Sequence, residues 1–277
     1  MKVGKIIRLL RRVVVLLIIF VGHTQAQQAA NLIPFWDDRE PESGLLVNHA
    51  AWQSLLDKYL DDQHPSGINR FDYAAVARSD RRVLNEYLKY LQSLDPRQLN
   101  ALEQKAYWIN LYNSTTVRIV LMENRNNLRS IRQIRSGFIT PGPWQRQVLQ
   151  VNFQALNLND IQHGILRPIW QDNRVHYALN SASLGSPNLL KTAFSGANVE
   201  ALLEKAARDF ITHPRAVQIS DGRLVLSEIY DLYAKDFGSN FGAVKEHIKK
   251  YIQPDLSARL DIFNRARYMH DWGLNRP

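Results

Sequence analysis

One segment of the sequence places a base close to hydroxyl nucleophiles. His176 is followed by Ser181 and Ser186 in a stretch rich in serine, glycine and proline, residues 176–187. Serine becomes an effective nucleophile when a positioned base takes its proton, and histidine is the usual base near neutral pH. With the loop folded back, the segment predicts acyl transfer with His176 as base and either serine as nucleophile. The structural alternative stays open, because Ser-Gly-Pro clusters commonly form turns.

The sequence lacks the motifs of several other chemistries. It contains no Gly-x-Ser-x-Gly elbow, no His-Glu-x-x-His zinc motif and no phosphate-binding glycine loop. Its eight histidines are scattered, and without cysteine there is no disulfide, thiolate nucleophile or thiolate metal site. We therefore predict neither a cofactor nor a metal.

A second group of polar residues interrupts the most apolar helix. Hydrophobic spacing predicts a helix over about residues 95–122, with Trp108 on its apolar stripe and Asn110 and Asn113 together on one narrow face. Asparagine favours caps and turns, so two asparagines in mid-helix indicate side-chain hydrogen bonds to another segment.

We predict a binding cleft where this helix meets the loop over 176–187. The predicted binding residues are Trp108, Asn110, Asn113 and Asn180. An equally open interpretation is that the three asparagines, His176 and Asp236 form a buried polar network. Such a network specifies a core without doing chemistry.

The elements that must position these residues form one α+β domain over residues 45–277, mostly helical with a small antiparallel sheet. No linker, repeat or low-complexity stretch divides it. Asp221-Gly222 predicts a two-residue hairpin turn, and 147–158 a second hairpin near Asn152.

Two further local predictions concern the segments beside the candidate site. Asn159 to Gln162 has the form of a capping box that opens a short helix ending before Pro168. Val175 to Leu179 has the composition of a strand, which would place His176 on a strand leading into the Ser-Gly-Pro loop over 180–187, called the serine loop below.

The first 26 residues have the pattern of a secretory signal peptide. Five basic residues precede an uncharged apolar run of ten, Val13 to Gly22, and Thr24-Gln25-Ala26 supplies small residues for cleavage after Ala26. The apolar run is short of the roughly 20 residues that a membrane-spanning helix needs, although retention as an anchor stays open. We predict a periplasmic or secreted protein with an extended lead-in over 27–44 and no stable membrane span after cleavage.

The net charge of the chain bears on whether its partner is a nucleic acid. Residues 1–26 carry five positive charges and no negative one, so cleavage lowers the net charge from +9 to +4. A mildly basic exported domain without a basic–aromatic ladder does not favour nucleic acid. Arg129 and Arg132 are candidates for an anion site, with a solvated basic face as the alternative.

Several segments resemble the family called domain of unknown function 547 (DUF547). The similar segments are Glu103–Asn113, Leu158–Arg167, His176–Pro187, Leu226–Tyr230 with Asp236-Phe237, and His270–Asn275. The resemblance implies a DUF547-like domain over 45–277 and export, more than any reaction. In that family cysteine often stands where this chain has Ser181 and Ser186. Because both positions are serine here, a reaction that depends on a thiol is excluded for this chain.

We expect an exported binding or interaction domain that is not an enzyme. Its partner would be a small molecule or another periplasmic protein. The alternative function is a hydrolase or acyl transferase that uses His176 as base and Ser181 or Ser186 as nucleophile. The sequence leaves open whether the protein is an enzyme.

Overall fold

Helices make up most of the regular structure in the computed structural model, which describes residues 29–123, 128–135 and 142–277. The α-helices of these residues are α1 (Ala50–Tyr59), α2 (Arg78–Ser93), α3 (Ala101–Glu123), α4 (Arg167–Trp170), α5 (Val175–Ala178), α6 (Val199–Ile211), α7 (Ile229–Leu232), α8 (Phe241–Lys249) and α9 (Pro254–Leu260). The strands are β1 (Leu60–Asp61), β2 (Arg70–Phe71), β3 (Leu149–Val151), β4 (Gln154–Leu156), β5 (Val217–Ser220), β6 (Arg223–Ser227) and β7 (Arg267–Met269). The predicted α+β class is confirmed.

The strands form three small sheets with turns that match their sequence. β1 pairs with β2, β3 with β4 and β5 with β6, all antiparallel, while β7 joins β6 in parallel. The β5–β6 turn has positive φ at Asp221 (50°) and Gly222 (71°), as a two-residue type I′ turn requires. The predicted hairpin near Asn152 is also present, with positive φ at Asn152 and Phe153. Both turn predictions are therefore confirmed.

The helix α3 lies at the centre of the core. Its residues from Glu103 to Val117 are all buried, and α2 and α6 pack against it. Trp108 is fully buried and makes an edge-on contact with Trp36, with ring centroids 5.1 Å apart. A helix buried on all sides presents no outer face, so its polar side chains must find partners inside the protein.

The predicted helix end before Pro168 is wrong, because the chain stays helical through Pro168. A π-helical turn over Asp160–Leu166 continues directly into α4. Proline has no N–H, so the carbonyl of Gly164, four residues earlier, lacks its helical donor. The backbone N–H of Ile33 donates to that carbonyl at 2.9 Å. The helix continues because the lead-in segment replaces the missing hydrogen bond.

The predicted capping box is displaced by two residues. The N–H of Asn157 donates to the Asp160 carboxylate, and the N–H of Asp160 donates to the Asn157 side-chain oxygen, both at 2.9 Å. Asp160 supplies the reciprocal acceptor itself, so the box spans Asn157–Asp160 and Leu158 is the first helical residue, ahead of the π-helical turn.

The predicted strand over 175–179 is wrong. Val175–Ala178 forms the one-turn helix α5. Asp172 starts this turn, because its carbonyl accepts from Val175 N–H and its carboxylate accepts from Arg174 N–H. This capping and complete burial of the turn outweigh the β-propensity of valine and tyrosine, since tertiary context overrides a weak local preference.

The predicted signal peptide over 1–26 lies outside the described residues. The first described part of the lead-in includes a 3-10 turn, Pro34–Trp36. No helix in the described parts of the chain combines the length and apolar character needed to cross a bilayer.

Candidate functional site

A cleft of about 240 Å³ brings together polar side chains from distant parts of the chain. Its aromatic lining includes Tyr112, Trp144, Tyr233 and Trp272, and its polar lining includes His163, His176, Ser181, Ser186, Glu228 and His270. These residues come from α3, the segment before β3, the π-helical turn, α5, the serine loop, the positions just after β6 and α7, and the C-terminal segment. The cleft therefore exists only in the folded chain.

His176 is held in one orientation at the wall of the cleft. Its Nε2 donates to the Asp236 carboxylate at 2.7 Å, and its ring stacks on Tyr233 with centroids 4.2 Å apart. Burial lowers the pKa of His176 and the contact with Asp236 opposes this, so the imidazole is neutral at pH 7. Its Nδ1 then carries a lone pair, and Nδ1 has no hydrogen-bond partner within the described residues.

Asp236 is fixed in turn by a buried arginine. Arg167 reaches it from the first residue of α4, with its Nε 2.6 Å and its Nη2 3.0 Å from the carboxylate oxygens. Burial alone would raise the pKa of Asp236, but the hydrogen bonds from His176 and Arg167 outweigh it and lower that pKa. Arg167 also donates to Nδ1 of His163 at 3.0 Å. His163 of the π-helical turn thus helps to hold Arg167, which in turn holds the histidine–aspartate pair.

Three serine hydroxyls form a closed cluster on the opposite loop. Ser181 Oγ lies 2.5 Å from Ser186 Oγ and 3.0 Å from Ser183 Oγ, and Ser183 Oγ lies 2.8 Å from Ser186 Oγ. Ser183 also reaches His270 Nε2 at 2.7 Å. Ser183 and Ser186 are buried, whereas Ser181 is half-buried and is the most accessible of the three. The histidine that contacts the serines is thus His270.

The serine loop is built to hold an uncommon backbone conformation. Ala182 has φ of +55°, which non-glycine residues rarely adopt. Its N–H donates to the Asn180 side chain at 2.8 Å, and its carbonyl accepts from Asn275 N–H at 3.2 Å. A Cβ on Gly185 would lie 2.6 Å from the backbone nitrogen of Asp271, so only glycine allows this close approach.

Two oppositely charged residues complete the lining of the cleft. Oε2 of Glu228 is buried and has no hydrogen-bond partner within the described residues. Burial raises the pKa of Glu228, while the positive charge of Arg132 opposes that rise. The Arg132 guanidinium lies over the Trp272 ring, 5.1 Å from its centroid. Arg132 follows Ser130 in a 3-10 turn, Ile131–Gln133.

The two asparagines of α3 form hydrogen bonds to backbone groups within and on either side of the serine loop. Asn110 exchanges two hydrogen bonds with the backbone of Phe194, at 2.7 and 3.1 Å. Asn113 donates to the carbonyl of Ala178 and accepts from the N–H of Asn180, both at 2.9 Å. These bonds agree with the expectation that polar groups in mid-helix bond to another segment.

The four predicted binding residues thus lie behind the cleft. Trp108 is buried in the core, and the Asn180 amide group donates to the carbonyl of Pro187 at 2.7 Å. None of the four is among the residues that line the cleft. The asparagines position the segments that carry His176 and the serines.

The predicted catalytic residues share the cleft without forming a hydrogen-bonded pair. His176, Ser181 and Ser186 all line it, but Nε2 of His176 is bonded to Asp236 and its Nδ1 has no partner within the described residues. Ser183 and His270 were not among the site residues predicted from the sequence. His270 stands at the start of one segment that resembles the DUF547 family, and this was the available signal.

Other residues that sequence reasoning missed have similar signals. Arg167 ends one of the family-like segments and Glu228 lies within another. The presence of a charged residue within a family-like segment could have identified both as candidate site residues. No group of three or more histidine, aspartate or glutamate side chains that could hold a metal ion occurs in the described ranges.

Fold and site together define a mainly helical α+β protein with a polar cleft beside a histidine–aspartate pair. The family model described as "Protein of unknown function, DUF547" matches residues 96–211. The resemblance noted in the sequence is confirmed over these residues. The match contains α3, the π-helical turn, α5 and the serine loop, while Glu228, Asp236 and His270 lie beyond it. No curated protein and no solved structure matches the chain.

Proposed function

We propose that this chain is an exported domain whose cleft binds a small polar molecule or an exposed polar group of another periplasmic protein. The N-terminal pattern of residues 1–26 supports export. The cleft supports binding, because aromatic walls surround a small number of fixed polar groups, as is typical of ligand sites.

The observation that carries this proposal is the carboxyl group of Glu228. Glu228 lines the cleft, and its Oε2 is buried without a hydrogen-bond partner within the described residues. An unsatisfied buried polar group costs about 1–3 kcal/mol. A ligand that supplies a hydrogen-bond partner to Glu228 recovers this cost on binding. The nearby positive charge of Arg132 favours a ligand that also has an anionic group.

A thermal-shift screen of the full chain tests the binding proposal. The probes are zwitterionic and anionic molecules that fit the cleft, namely free amino acids, dipeptides and sugar acids. A ligand that binds only the folded state raises the melting temperature. We expect at least one probe to raise the melting temperature. Glu228→Gln should need about tenfold more of that probe for the same rise, since one hydrogen bond to a charged group is worth roughly 1.5–3 kcal/mol.

Glu246→Gln is the matched control for that screen. Glu246 is an exposed acid on α8 that bonds to Lys249, away from the cleft. The control should respond to the same probes as the wild-type chain. A ligand that stabilises all three proteins equally would place the binding site elsewhere and contradict the proposal. Export is tested separately, by N-terminal sequencing of the periplasmic protein, which should begin at Gln27.

A second candidate function is acyl transfer or hydrolysis. It is favoured by one observation, the Asp236–His176 hydrogen bond beside serine hydroxyls in the same cleft. In this function His176 is the base and Ser181 or Ser186 is the nucleophile, as the sequence predicts. Small rearrangements on substrate binding would have to bring Nδ1 of His176 to a hydroxyl, since catalytic hydrogen bonds often tighten only in the complex.

Covalent labelling separates the two functions. A serine hydrolase reacts with a fluorophosphonate probe, and His176→Ala abolishes this labelling if His176 is the base. A binding domain is not labelled but still shows the thermal shift. A histidine with a purely structural role would lower the melting temperature on substitution and change nothing else.

A further inference from the structure

The serine cluster has its own route to a base. Ser181 Oγ lies 3.0 Å from Ser183 Oγ, which lies 2.7 Å from His270 Nε2. Both distances are within hydrogen-bond range. The chain of contacts therefore runs from the most accessible hydroxyl of the cluster, through a fully buried hydroxyl, to an imidazole nitrogen.

His270 presents a neutral imidazole at the end of this chain. Burial lowers its pKa to about 4, so the ring is neutral at pH 7 and one ring nitrogen carries a lone pair. The ring is held against Trp272, with centroids 4.1 Å apart. A Cβ on Gly185 would lie 2.9 Å from the His270 ring, so the serine loop also contacts the imidazole closely. The base is thus fixed relative to the serines before any substrate binds.

Ser181 and Ser183 have different access to a ligand. Ser183 is completely buried and is not among the residues that line the cleft, whereas Ser181 lines it. Ser183 can therefore transmit a proton but cannot itself reach a substrate. Ser181 is the hydroxyl of this pair that a substrate can contact.

We infer that Ser181 is a nucleophile activated by His270 through the hydroxyl of Ser183. This inference rests on the acyl-transfer function proposed above and changes the identity of its base. His176, whose Nε2 is bonded to Asp236, lies outside this hydrogen-bonded chain.

Each step of the resulting reaction balances. Ser181 Oγ forms a bond to the acyl carbon of an ester, its proton passes to Ser183, and the proton of Ser183 passes to His270 Nε2. The bond from the acyl carbon to the leaving oxygen breaks, and the leaving alcohol takes the proton back from His270 through Ser183 and Ser186, whose hydroxyls lie 2.8 Å apart and of which Ser186 lines the cleft. Water then attacks the acyl-serine and passes its proton through Ser186 and Ser183 to His270. The bond from the acyl carbon to Ser181 Oγ breaks, Ser181 takes that proton back through Ser183, and the acid is released.

The test measures the rate at which a fluorophosphonate labels the full-length protein, and mass spectrometry locates the modified serine. We expect the label on Ser181. Because general-base catalysis contributes about 10²–10⁴-fold, His270→Gln and Ser183→Ala should each slow labelling by roughly 100-fold or more. Far-ultraviolet circular dichroism and the melting temperature show whether each variant is folded.

Two readouts separate a base from a structural residue. Ser183→Thr keeps the hydroxyl and should restore labelling that Ser183→Ala removes. Added imidazole should restore labelling to His270→Ala but not to Ser183→Ala. The matched control is His64→Gln, because His64 Nδ1 lies 2.8 Å from the hydroxyl of Ser66 in an exposed histidine–serine pair. This control should label at the wild-type rate.

The outcomes distinguish the failure of the inference from the failure of acyl transfer. Labelling that is lost in His176→Gln and kept in His270→Gln overturns the His270 route and leaves acyl transfer standing with His176 as base. A label on Ser186 also overturns the route. An absence of labelling in the folded wild-type chain overturns both the route and the acyl-transfer function.

Discussion

Asp172 begins the turn that carries His176, and its replacement gives a measurable test of how that turn is held. Its side chain is 15% exposed and contacts the buried Lys105 at 3.0 Å and two nitrogens of Arg174 at 2.9 and 2.8 Å. Burial would raise the pKa of Asp172, but the hydrogen bonds from Arg174 and Lys105 lower it from 3.8 to about 2.

The size of the effect follows from that change in pKa. Nearly two pKa units at 1.36 kcal/mol each correspond to about 2 kcal/mol of folding free energy. The pKa is lowered on folding, so this stability is present above the unfolded-state pKa and is lost as the pH falls through the folded-state value. Asn resembles the protonated acid. Asp172→Asn should therefore lower the free energy of unfolding by about 2 kcal/mol at pH 7, and by roughly half as much at pH 3.

Urea unfolding followed by tryptophan fluorescence at pH 7, 5 and 3 measures these differences. Glu200→Gln is the matched control, because Glu200 contacts the same Lys105 at 2.9 Å but is 48% exposed. Solvent screening should limit its effect to about 1 kcal/mol or less. Equal losses in the two variants, or a loss in Asp172→Asn that is as large at pH 3 as at pH 7, would refute the reasoning.

Three further predictions concern the cleft and its supports. Asn113→Ala removes two hydrogen bonds to buried backbone groups and should lower the free energy of unfolding by roughly 2–4 kcal/mol in urea, whereas an unchanged midpoint would mean that the amide holds nothing. Burial raises the pKa of Glu228, so this group makes the folded protein less stable as the pH increases. Glu228→Gln should therefore raise the melting temperature at pH 8 and leave it unchanged at pH 4. A gain at pH 4 with none at pH 8 would contradict the assigned burial. Gly185→Ala inserts a methyl group 2.9 Å from the His270 ring, so we expect a lower melting temperature and shifted His270 imidazole resonances in NMR spectra, and an unchanged spectrum would contradict the close approach.

Much of the architecture could be predicted from local patterns. The period of apolar residues identified α3, and the Asp221-Gly222 pair identified the β5–β6 turn, because both depend on neighbours in the chain. Mid-helix asparagines also implied buried hydrogen bonds, since such residues have no local reason to be there. The family-like segments predicted the resemblance to DUF547 that the family model's match over 96–211 confirms.

Local patterns failed where distant groups replaced a missing interaction. The helix at Pro168 continues because Ile33, more than 130 residues earlier in the chain, donates to the carbonyl that proline leaves without a donor. The segment around His176 is helical because Asp172 accepts hydrogen bonds from the N–H groups of Arg174 and Val175 and because the core buries the turn. Propensity describes the isolated chain and cannot include such partners.

The partners of the candidate site residues could not be assigned from spacing. His176 and the serines are near each other in sequence, yet His176 bonds to Asp236, 60 residues later, and Ser183 bonds to His270, 87 residues later. The residue types, and hence the available acids, bases and hydroxyls, are properties of the sequence. Which base meets which hydroxyl depends on loop geometry, because a hydrogen bond requires a separation near 3 Å and correct alignment, and those are set by packing across the whole chain.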